Sequence, residues 1–530
     1  MNFNELIKLV SSENPPNICT DSRAVKSGDI FVAVKGTVSD GHDFIEQAIS
    51  NGAKYIVCEE KSQNVGCAMH TCFKNGVHST PYILIEDSIM AAAILAQAAK
   101  GNPSSKLINM AVTGTNGKTT VTYLVRSCVM QSGEKCGLIG TVIYDDCSGK
   151  STAAPLTTPD SLTIAEKQAE MIKNGAKYMI TEASSHALSQ NRLACINFKA
   201  AAFTNLTGDH LDYHITKENY LEAKTKLFTS LAADSFAVLN RESPESQYIA
   251  KNTKAKIIWY AIEQKADLAL NRSGTGLVAK IETMDVSGTV YSLNYMGQSA
   301  IVKTPLIGMY NISNHLAAAG LCLGAGLDLK TIAAGLSELK LIPGRLEKVA
   351  PPTEGGRDAR PCVSTILIDY AHTDDALKNV LSILKPLCKG KLRVIFGCGG
   401  DRDKTKRPRM AHVVEQFADF ITVTSDNPRT EEPLSIIDDI LKGFKKEYRI
   451  QNTEYRNPVS LDSSALSSEP IPIIDVVPDR KQAIEMVIKA AGKDDIILIA
   501  GKGHEDYQII GKTKYHFSDK EIAQNCLKQI

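Results

Sequence analysis

The sequence predicts an α/β protein of three domains. Three observations predict it. The chain has 530 residues, and roughly 150 residues per domain gives about three. Short apolar runs that read as strands alternate with longer stretches of helical periodicity. Polar clusters recur just after the strand-like runs, where ligands bind in parallel α/β sheets. The predicted divisions are 1–103, a small N-terminal α/β domain; 104–341, a central domain with a mostly parallel sheet; and 342–530, a C-terminal Rossmann-like α/β domain.

In the first domain Ile30–Val34 reads as a strand, Asp43–Asn51 as a helix and Tyr55–Cys58 as a second strand. Gly101–Ser105 has the composition of a linker. Central strands are expected at Ile108–Thr113, Tyr178–Thr181, Ala201–Thr204, Phe236–Leu239 and Lys256–Tyr260. The alternating segment Gly276–Lys303 predicts an antiparallel hairpin or meander. A helix over Asn311–Gly326 is expected to close the domain, with the next boundary near Leu341–Gly344. C-terminal strands are expected at Thr365–Asp369, Leu392–Phe396, Ile421–Thr424 and Ile496–Ile499. Pro351–Pro361 and Tyr448–Pro470 read as loop insertions.

The segment Thr113-Gly-Thr-Asn-Gly-Lys-Thr-Thr120 carries the most chemistry. An apolar strand precedes it. After it Val121, Leu124, Val125, Cys128 and Val129 repeat with helical spacing up to Gly133. Strand, glycine loop and helix are the parts of a phosphate cradle. Gly114 and Gly117 allow the sharp turn that brings backbone N–H groups close to phosphate oxygens, Lys118 can reach the β- and γ-phosphates, and Thr119 can ligate Mg²⁺, with Thr115, Asn116 and Thr120 completing the candidate ATP-binding loop. Val112 stands where the general P-loop pattern has glycine, so this is a shortened variant. The central domain is therefore expected to be of P-loop ATPase type.

Six polar clusters follow predicted strands: Thr181–His186, Thr204–His210, Asp369–His372, Gly397–Asp403, Asp426–Arg429 and Gly501–Glu505. Six such loops in two domains predict a site between facing sheet edges. Glu182 and His210 are candidate metal ligands near the glycine loop, Glu182 the better suited to Mg²⁺. His214 reads as structural or solvent-facing. Lys224 reads as a solvated helix charge, and nothing in the sequence separates it from Lys226.

Bulk properties exclude other classes. A net charge of +1 leaves no electrostatic footprint for nucleic acid. Met1–Val10 lacks a signal-peptide core, and Leu316–Leu327 is too short to span a bilayer. The 13 scattered cysteines fit a reducing cytoplasm. Cys67, His70, Cys72 and His78 match no standard zinc spacing and read as a surface insertion.

Taken together, the motifs resemble the muramyl-peptide ligase family, which folylpolyglutamate synthetase also joins. Thr113–Thr120, Glu182-Ala-Ser-Ser-His-Ala-Leu188, Phe203–His214, the Lys224 segment and Pro343-Gly-Arg-Leu-Glu347 match in order, from about Cys19 to the C-terminus. Asp21-Ser-Arg23, Gly28-Asp-Ile-Phe31, Asp426-Asn-Pro-Arg429 and Gly501-Lys-Gly-His-Glu505 resemble the members that add the third amino acid of the cell-wall peptide. The resemblance implies ATP-driven, Mg²⁺-dependent amide ligation in cytoplasmic peptidoglycan synthesis, supporting cell shape and division. Its substrates would be UDP-N-acetylmuramoyl-L-Ala-D-Glu and meso-diaminopimelate, and the enzyme a monomer without membrane insertion.

By the same resemblance Ser22, Thr37, Val38 and Ser39 hold the uridine end, and Thr157, Thr158, Ser184, Gln190 and Arg192 the sugar-peptide. Asn311, Arg345 and Asp369 join Gly114–Thr120 in contacting ATP. Lys224 corresponds to a carbamylated lysine, which with Thr119, Glu182 and His210 would ligate metal; Lys118, Glu182, His210 and Lys224 would be catalytic. Arg402, Asp426, Asn427, Pro428, Arg429, Gly501 and Glu505 would bind diaminopimelate. Arg429 can pair with its distal carboxylate, which lysine lacks, while Asp426 and Glu505 can take an ammonium. L-Lysine as acceptor, and a catalytically silent nucleotide-binding regulatory protein, are the alternatives. Leu156, Gly208 and Asp374 depart from the family pattern.

Overall fold

A computed structural model describes residues 1–36, 39–59, 80–207, 211–263, 276–349, 364–444, 449–450 and 473–529. Thr37, Val38, His210 and the Cys67–His78 segment lie outside the described residues, as do the Pro351–Pro361 stretch and most of Tyr448–Pro470.

Three sheets succeed one another along the chain. The first is four parallel strands in sequence order, Ile18–Cys19, Ile30–Val32, Tyr55–Glu59 and Tyr82–Ile85. Its core joins Leu6 and Val10 to Ile30, Val32, Val57 and Leu95. Leu95 lies on helix Ser88–Ala99, whose first turn is capped by the Asp87 carboxylate accepting from Met90 N at 2.9 Å.

Gly101–Ser105 departs from the linker its composition predicts. Pro103–Lys106 is a 3₁₀ turn with Pro103 and Ser104 buried. Gln97 donates to Gln168 at 2.8 Å and accepts from Ser104 N at 3.0 Å; Gln168 donates to Asn109, and Asn109 to Ser104 O at 2.8 Å. Each buried amide in this network has partners, as burial requires. The network ties the first sheet's last helix to the central sheet.

The central sheet has eleven strands. Ile108–Thr113 lies in its interior, parallel to Phe198–Phe203 on one side and Ala176–Glu182 on the other. An interior parallel strand is buried on both faces, and Met110, Ala111 and Val112 are fully so. Gly276–Lys303 forms a meander, Leu277–Asp285, Gly288–Tyr295 and Gln298–Thr304, at one end of the sheet. Ile143–Asp145 and Ser151–Ala153 close the other end; the latter is exposed throughout and carries no apolar signal for a sequence reading. Helix Met309–Gly324 is not the last of this unit. Helix Leu329–Glu338 follows and packs on the glycine-loop helix, where a Cβ on Gly335 would lie 2.4 Å from Cys128 Cα.

The third sheet has seven strands. Thr365–Asp369, Ile496–Ala500, Leu392–Phe396, Phe420–Val423 and Ile473–Val476 lie parallel in that spatial order. Glu347–Lys348 adds an antiparallel edge. Arg449–Ile450, at the start of an expected insertion, pairs at the opposite edge. A hairpin, Tyr507–Ile510 with Thr513–His516, stands beside this sheet. No helix among the described residues is long and apolar enough to cross a membrane.

Candidate active site

The glycine loop lies between the ends of two neighbouring strands. Thr113 Oγ1 donates to Ala183 O at 2.7 Å on one side. On the other, Thr115 N donates to Asn205 O and Asn116 N to Asn205 Oδ1, both at 2.9 Å. Gly114 has φ +150°, and a Cβ there would sit 1.9 Å from Thr204 Oγ1. Gly117 has φ +90°, and its Cβ would meet Asn314 Oδ1 at 2.2 Å. Both glycines are therefore demanded by φ and by close approach. Helix Lys118–Gln131 starts at Gly117 with no side-chain cap. Its first-turn amides face the loop, the arrangement that binds phosphate at helix N-termini. Lys118 Nζ lies over the loop, 3.0 Å from Gly114 O and Thr115 O. Thr120 is buried in the same turn.

Glu182 ends strand Ala176–Glu182 and is 1% exposed. Its Oε1 accepts from Thr119 Oγ1 at 3.0 Å and Thr141 N at 2.8 Å; its Oε2 accepts from Thr141 Oγ1 at 2.9 Å. The neighbouring Gly140 leaves room, since a Cβ there would lie 2.6 Å from Oε1. Among the described residues no three His, Cys, Asp or Glu side chains gather as a metal cluster. The Thr119 hydroxyl beside a buried carboxylate is nonetheless a hard-oxygen pair that fits Mg²⁺, which takes one or two carboxylates plus substrate phosphates.

The fold separates the two lysines that looked alike. Thr216 caps helix Lys217–Thr229. Lys226 points to solvent, whereas Lys224 is 1% exposed and donates to Gly114 O at 2.9 Å. Its ammonium also lies 4.4 Å from the centre of the Tyr220 ring. His214, read as structural or solvent-facing, is buried between the Tyr213 and Tyr220 rings.

The C-terminal sheet reaches the same loop. Arg345 stacks over Tyr370, 4.9 Å from its ring centre, and its Nη2 lies 3.5 Å from Thr119 Oγ1. Asp369, an expected ATP contact, has both oxygens on main chain: Oδ2 accepts from Leu346 N at 2.7 Å and Oδ1 from Ala371 N at 2.8 Å. It holds the turn that aims Arg345, and burial pushes its carboxyl above the usual range. Asp375 accepts from Asn116 Nδ2 of the glycine loop at 3.0 Å; burial raises its carboxyl too. Asn311 donates to Ile307 O at 2.8 Å. Asn314, one helical turn further on, is the residue that touches the loop at Gly117, and its i+3 spacing was the available signal.

Two clefts flank this centre. One, of about 530 Å³, is lined by Asp21, Ser22, Arg23 and Ser39 from the first sheet's loops and by Gln190 and Arg192 from the central unit. Ser22 Oγ donates to Gln47 Oε1 at 2.7 Å. Arg192 Nη1 donates to Thr158 O at 2.9 Å, and Gln190 Oε1 accepts from Arg192 Nε at 2.9 Å. The Thr158 hydroxyl is consumed by main chain: it donates to Glu182 O at 2.7 Å and accepts from Ser184 N at 3.1 Å. Thr157 Oγ1 lies 3.1 Å from Thr141 Oγ1, and Ser184 Oγ caps the next helix. This chain of contacts runs from the cleft to Glu182.

The other cleft, about 870 Å³, is lined by Arg402, Asp426, Asn427, Arg429, Gly501 and Glu505, with His186 reaching in from the central unit. Pro428 shapes the loop instead: its carbonyl would lie 1.9 Å from a Cβ on Gly400. Arg429 has φ +53°, an uncommon conformation held by N–H donation to Ile509 O at 3.0 Å. Its Nη1 donates to Gly400 O at 2.7 Å, and Arg402 is exposed at the rim. Lys502, which the sequence reading gave no role, is fully buried below. It donates to Glu505 Oε2 at 3.0 Å and Asn427 Oδ1 at 3.2 Å, while Asn427 Nδ2 donates to Glu505 Oε2 at 2.9 Å. Glu505 thus already carries a lysine partner on one oxygen. Its other oxygen, Oε1, lies 3.3 Å from Tyr507 OH.

A phosphate loop, a buried carboxylate beside it and two substrate-sized clefts on either side define a nucleotide-dependent ligase built on three α/β units. Family comparisons agree unit by unit: residues 16–100 match the Mur ligase family catalytic domain, 112–322 the Mur ligase middle domain and 353–503 the Mur ligase glutamate ligase domain. The chain belongs to the Mur ligase family. It is 39% identical to the UDP-N-acetylmuramoyl-L-alanyl-D-glutamate--2,6-diaminopimelate ligase of Geobacillus kaustophilus, covering 96% of this chain and 94% of that one. With the Clostridium tetani protein of that name it shares 37% identity, over 97% and 95%. A solved structure of a ligase so named is 29% identical, with a TM-score of 0.63, covering 97% of this chain and 95% of that chain.

Proposed function

We propose that this chain is an ATP-dependent, ADP-forming ligase that joins meso-diaminopimelate to the D-Glu γ-carboxylate of UDP-N-acetylmuramoyl-L-Ala-D-Glu, in cytoplasmic peptidoglycan synthesis, and that it acts as a monomer. The observation that carries this reading is the placement of the glycine loop and Glu182 between the cleft of Ser22 and Arg192 and the cleft of Arg429 and Glu505. Residues 1–103 take the uridine end, 104–341 the ATP and 342–530 the amino acid.

A carboxylate is a poor electrophile, so it first takes the γ-phosphoryl group of ATP as an acyl phosphate. The amine then attacks the acyl carbon, the tetrahedral intermediate collapses, and phosphate leaves with the former carboxyl oxygen. The protein's work is positioning and charge neutralisation. First-turn amides of helix Lys118–Gln131 and Lys118 grip the phosphates, the Thr115 and Asn116 amides being taken by Asn205, and Arg345 faces them from the C-terminal unit. Thr119 and Glu182 would hold Mg²⁺, which supplies further neutralisation when bound. Lys224, carbamylated by CO₂, would exchange a repelling cation for a carboxylate at the same place. His210 stays in the proposal as a metal-side residue on the resemblance alone. At the acceptor cleft Asp426 and the Oε1 side of Glu505 receive the distal ammonium. Arg429 and Arg402 receive the distal carboxylate, a pairing L-lysine cannot make.

The test is phosphate release with ATP, Mg²⁺, bicarbonate and the UDP-dipeptide, comparing meso-diaminopimelate with L-lysine. Turnover with diaminopimelate alone is expected. Preference for lysine overturns the acceptor assignment, and no turnover with either overturns the reaction.

A further inference from the structure

The two loops that form the acceptor cleft leave strands that are not neighbours. Leu392–Phe396 lies between Phe420–Val423 and Ile496–Ala500. Their spacing is relayed through Leu392–Phe396, and further out Arg429 N–H donates to Ile509 O at 3.0 Å while Lys502 and Asn427 join Glu505. At the strand ends themselves, the Arg480 side chain bridges the two main chains directly. Arg480 opens helix Arg480–Ala490. Its Nη2 donates to Ala500 O at 2.9 Å, and its Nη1 lies 3.4 Å from Ser425 O. Ala500 immediately precedes Gly501, and Ser425 immediately precedes Asp426.

The guanidinium is itself held in plane. Asp519, the first residue of helix Asp519–Gln529, accepts Nε and Nη2 at 2.8 Å each, one per oxygen. Both side chains are 0% exposed. Desolvation offsets most of what a buried ion pair contributes to stability, so apolar packing could support the fold here equally well. What apolar packing cannot do is donate to the two strand-end carbonyls and so tie them to each other beyond the sheet's own ladders. The tolerance is small: Gly501 has φ +115°, and a Cβ there would sit 2.6 Å from Asp426 Oδ2 and 4.0 Å from Arg480 Nη2.

We propose that Arg480 is a positioning residue for the acceptor amino acid, fixing the spacing of the Asp426–Arg429 and Gly501–Glu505 loops, with Asp519 orienting its guanidinium. This rests on the reading of the cleft as the diaminopimelate site. Displacements near 1 Å are enough to change turnover about a hundredfold in a positioned site.

The test uses the full chain with Arg480→Lys and Asp519→Asn, measuring KM for each of the three substrates and the melting temperature. Arg480→Lys keeps the charge but loses the fork. We expect its KM for meso-diaminopimelate to rise about tenfold or more, while the KM values for ATP and the UDP-dipeptide stay within about twofold. Asp519→Asn should move the same constant in the same direction by less. A merely structural pair would lower the melting temperature and leave the diaminopimelate KM where it was; that result overturns the proposal. If Arg480→Lys does not fold, Asp519→Asn decides by the same criterion. Wild-type protein is measured first: its failure to use diaminopimelate would sink the functional reading, and this proposal with it.

Discussion

Glu182→Gln separates the chemistry of the phosphate site from its architecture. Glu182 accepts three hydrogen bonds, two on Oε1 and one on Oε2. A glutamine with its carbonyl oxygen at the Oε1 position keeps the bonds from Thr119 Oγ1 and Thr141 N. Its NH₂ then meets Thr141 Oγ1, a hydroxyl that can accept as well as donate. The hydroxyl's proton has a second acceptor in Thr157 Oγ1, 3.1 Å away. The fold therefore loses only the charge assistance of these bonds, about 1 kcal/mol. In a domain of this size that lowers the melting temperature by about 2–4 °C. The reaction loses a preorganised negative charge beside Thr119. Removing one such group from a water-excluded site costs about 10²–10³-fold in kcat, or roughly 2.7–4 kcal/mol. The assay is phosphate release over a Mg²⁺ titration, alongside a thermal melt. We expect kcat to fall by that factor, with more Mg²⁺ needed for saturation and the melt nearly unchanged. A fall of less than tenfold with an unaltered Mg²⁺ requirement would refute the role assigned to Glu182. Large thermal destabilisation would refute the hydrogen-bond accounting.

Three further outcomes follow from the geometry. Lys224→Ala should lose about 10²-fold or more in kcat and regain part of it with a short-chain carboxylate, whereas the exposed Lys226→Ala should not change; lack of rescue would count against a carbamate. Arg429→Lys gives up the bidentate fork, so its KM for meso-diaminopimelate should rise about 30-fold, the low end for a broken charge pair, because the site is partly exposed; an unchanged KM would place the distal carboxylate elsewhere. His315 is 0% exposed, with Nδ1 2.8 Å from Tyr291 OH and Nε2 unpartnered among the described residues, and burial depresses its pKa from 6.5 to about 3. The folded state holds this ring neutral, so its contribution is complete above pH 6.5 and is lost progressively as pH falls towards 3. Denaturant melts should show about 3 kcal/mol less stability at pH 4.5 than at pH 7.5, with a shallower slope in His315→Gln; equal slopes would show that other groups govern the acid loss.

Local order was legible because it is written in short-range patterns. Ile108–Thr113 was read with the bounds the structure has. Spacing alone marked its helix, and composition marked the glycines that φ and close approach demand. Glu182 was legible from its place at a strand end. Strands without an apolar pattern were not, Ser151–Ala153 among them. Nor was the buried Gln97–Gln168 junction, which looked like a linker because small polar residues serve a turn and a satisfied polar network equally well. The alternation in Gly276–Lys303 allows a hairpin or a meander, and the antiparallel pairing of a third strand, Gln298–Thr304, with Gly288–Tyr295 decides for the meander.

By itself, then, the sequence determined the order of elements, the phosphate loop and the family pattern, all of which depend on residues near one another in the chain. The tertiary structure decided which charges are inside. It turned Lys224 onto Gly114 and left Lys226 in solvent. It set Lys502 beneath Asn427 and Glu505, and it brought Arg345 within reach of Thr119 across 226 positions of chain. A lone lysine or arginine reads as a solvated charge until its partners are known. Those partners arrive through packing between elements, which no local pattern encodes.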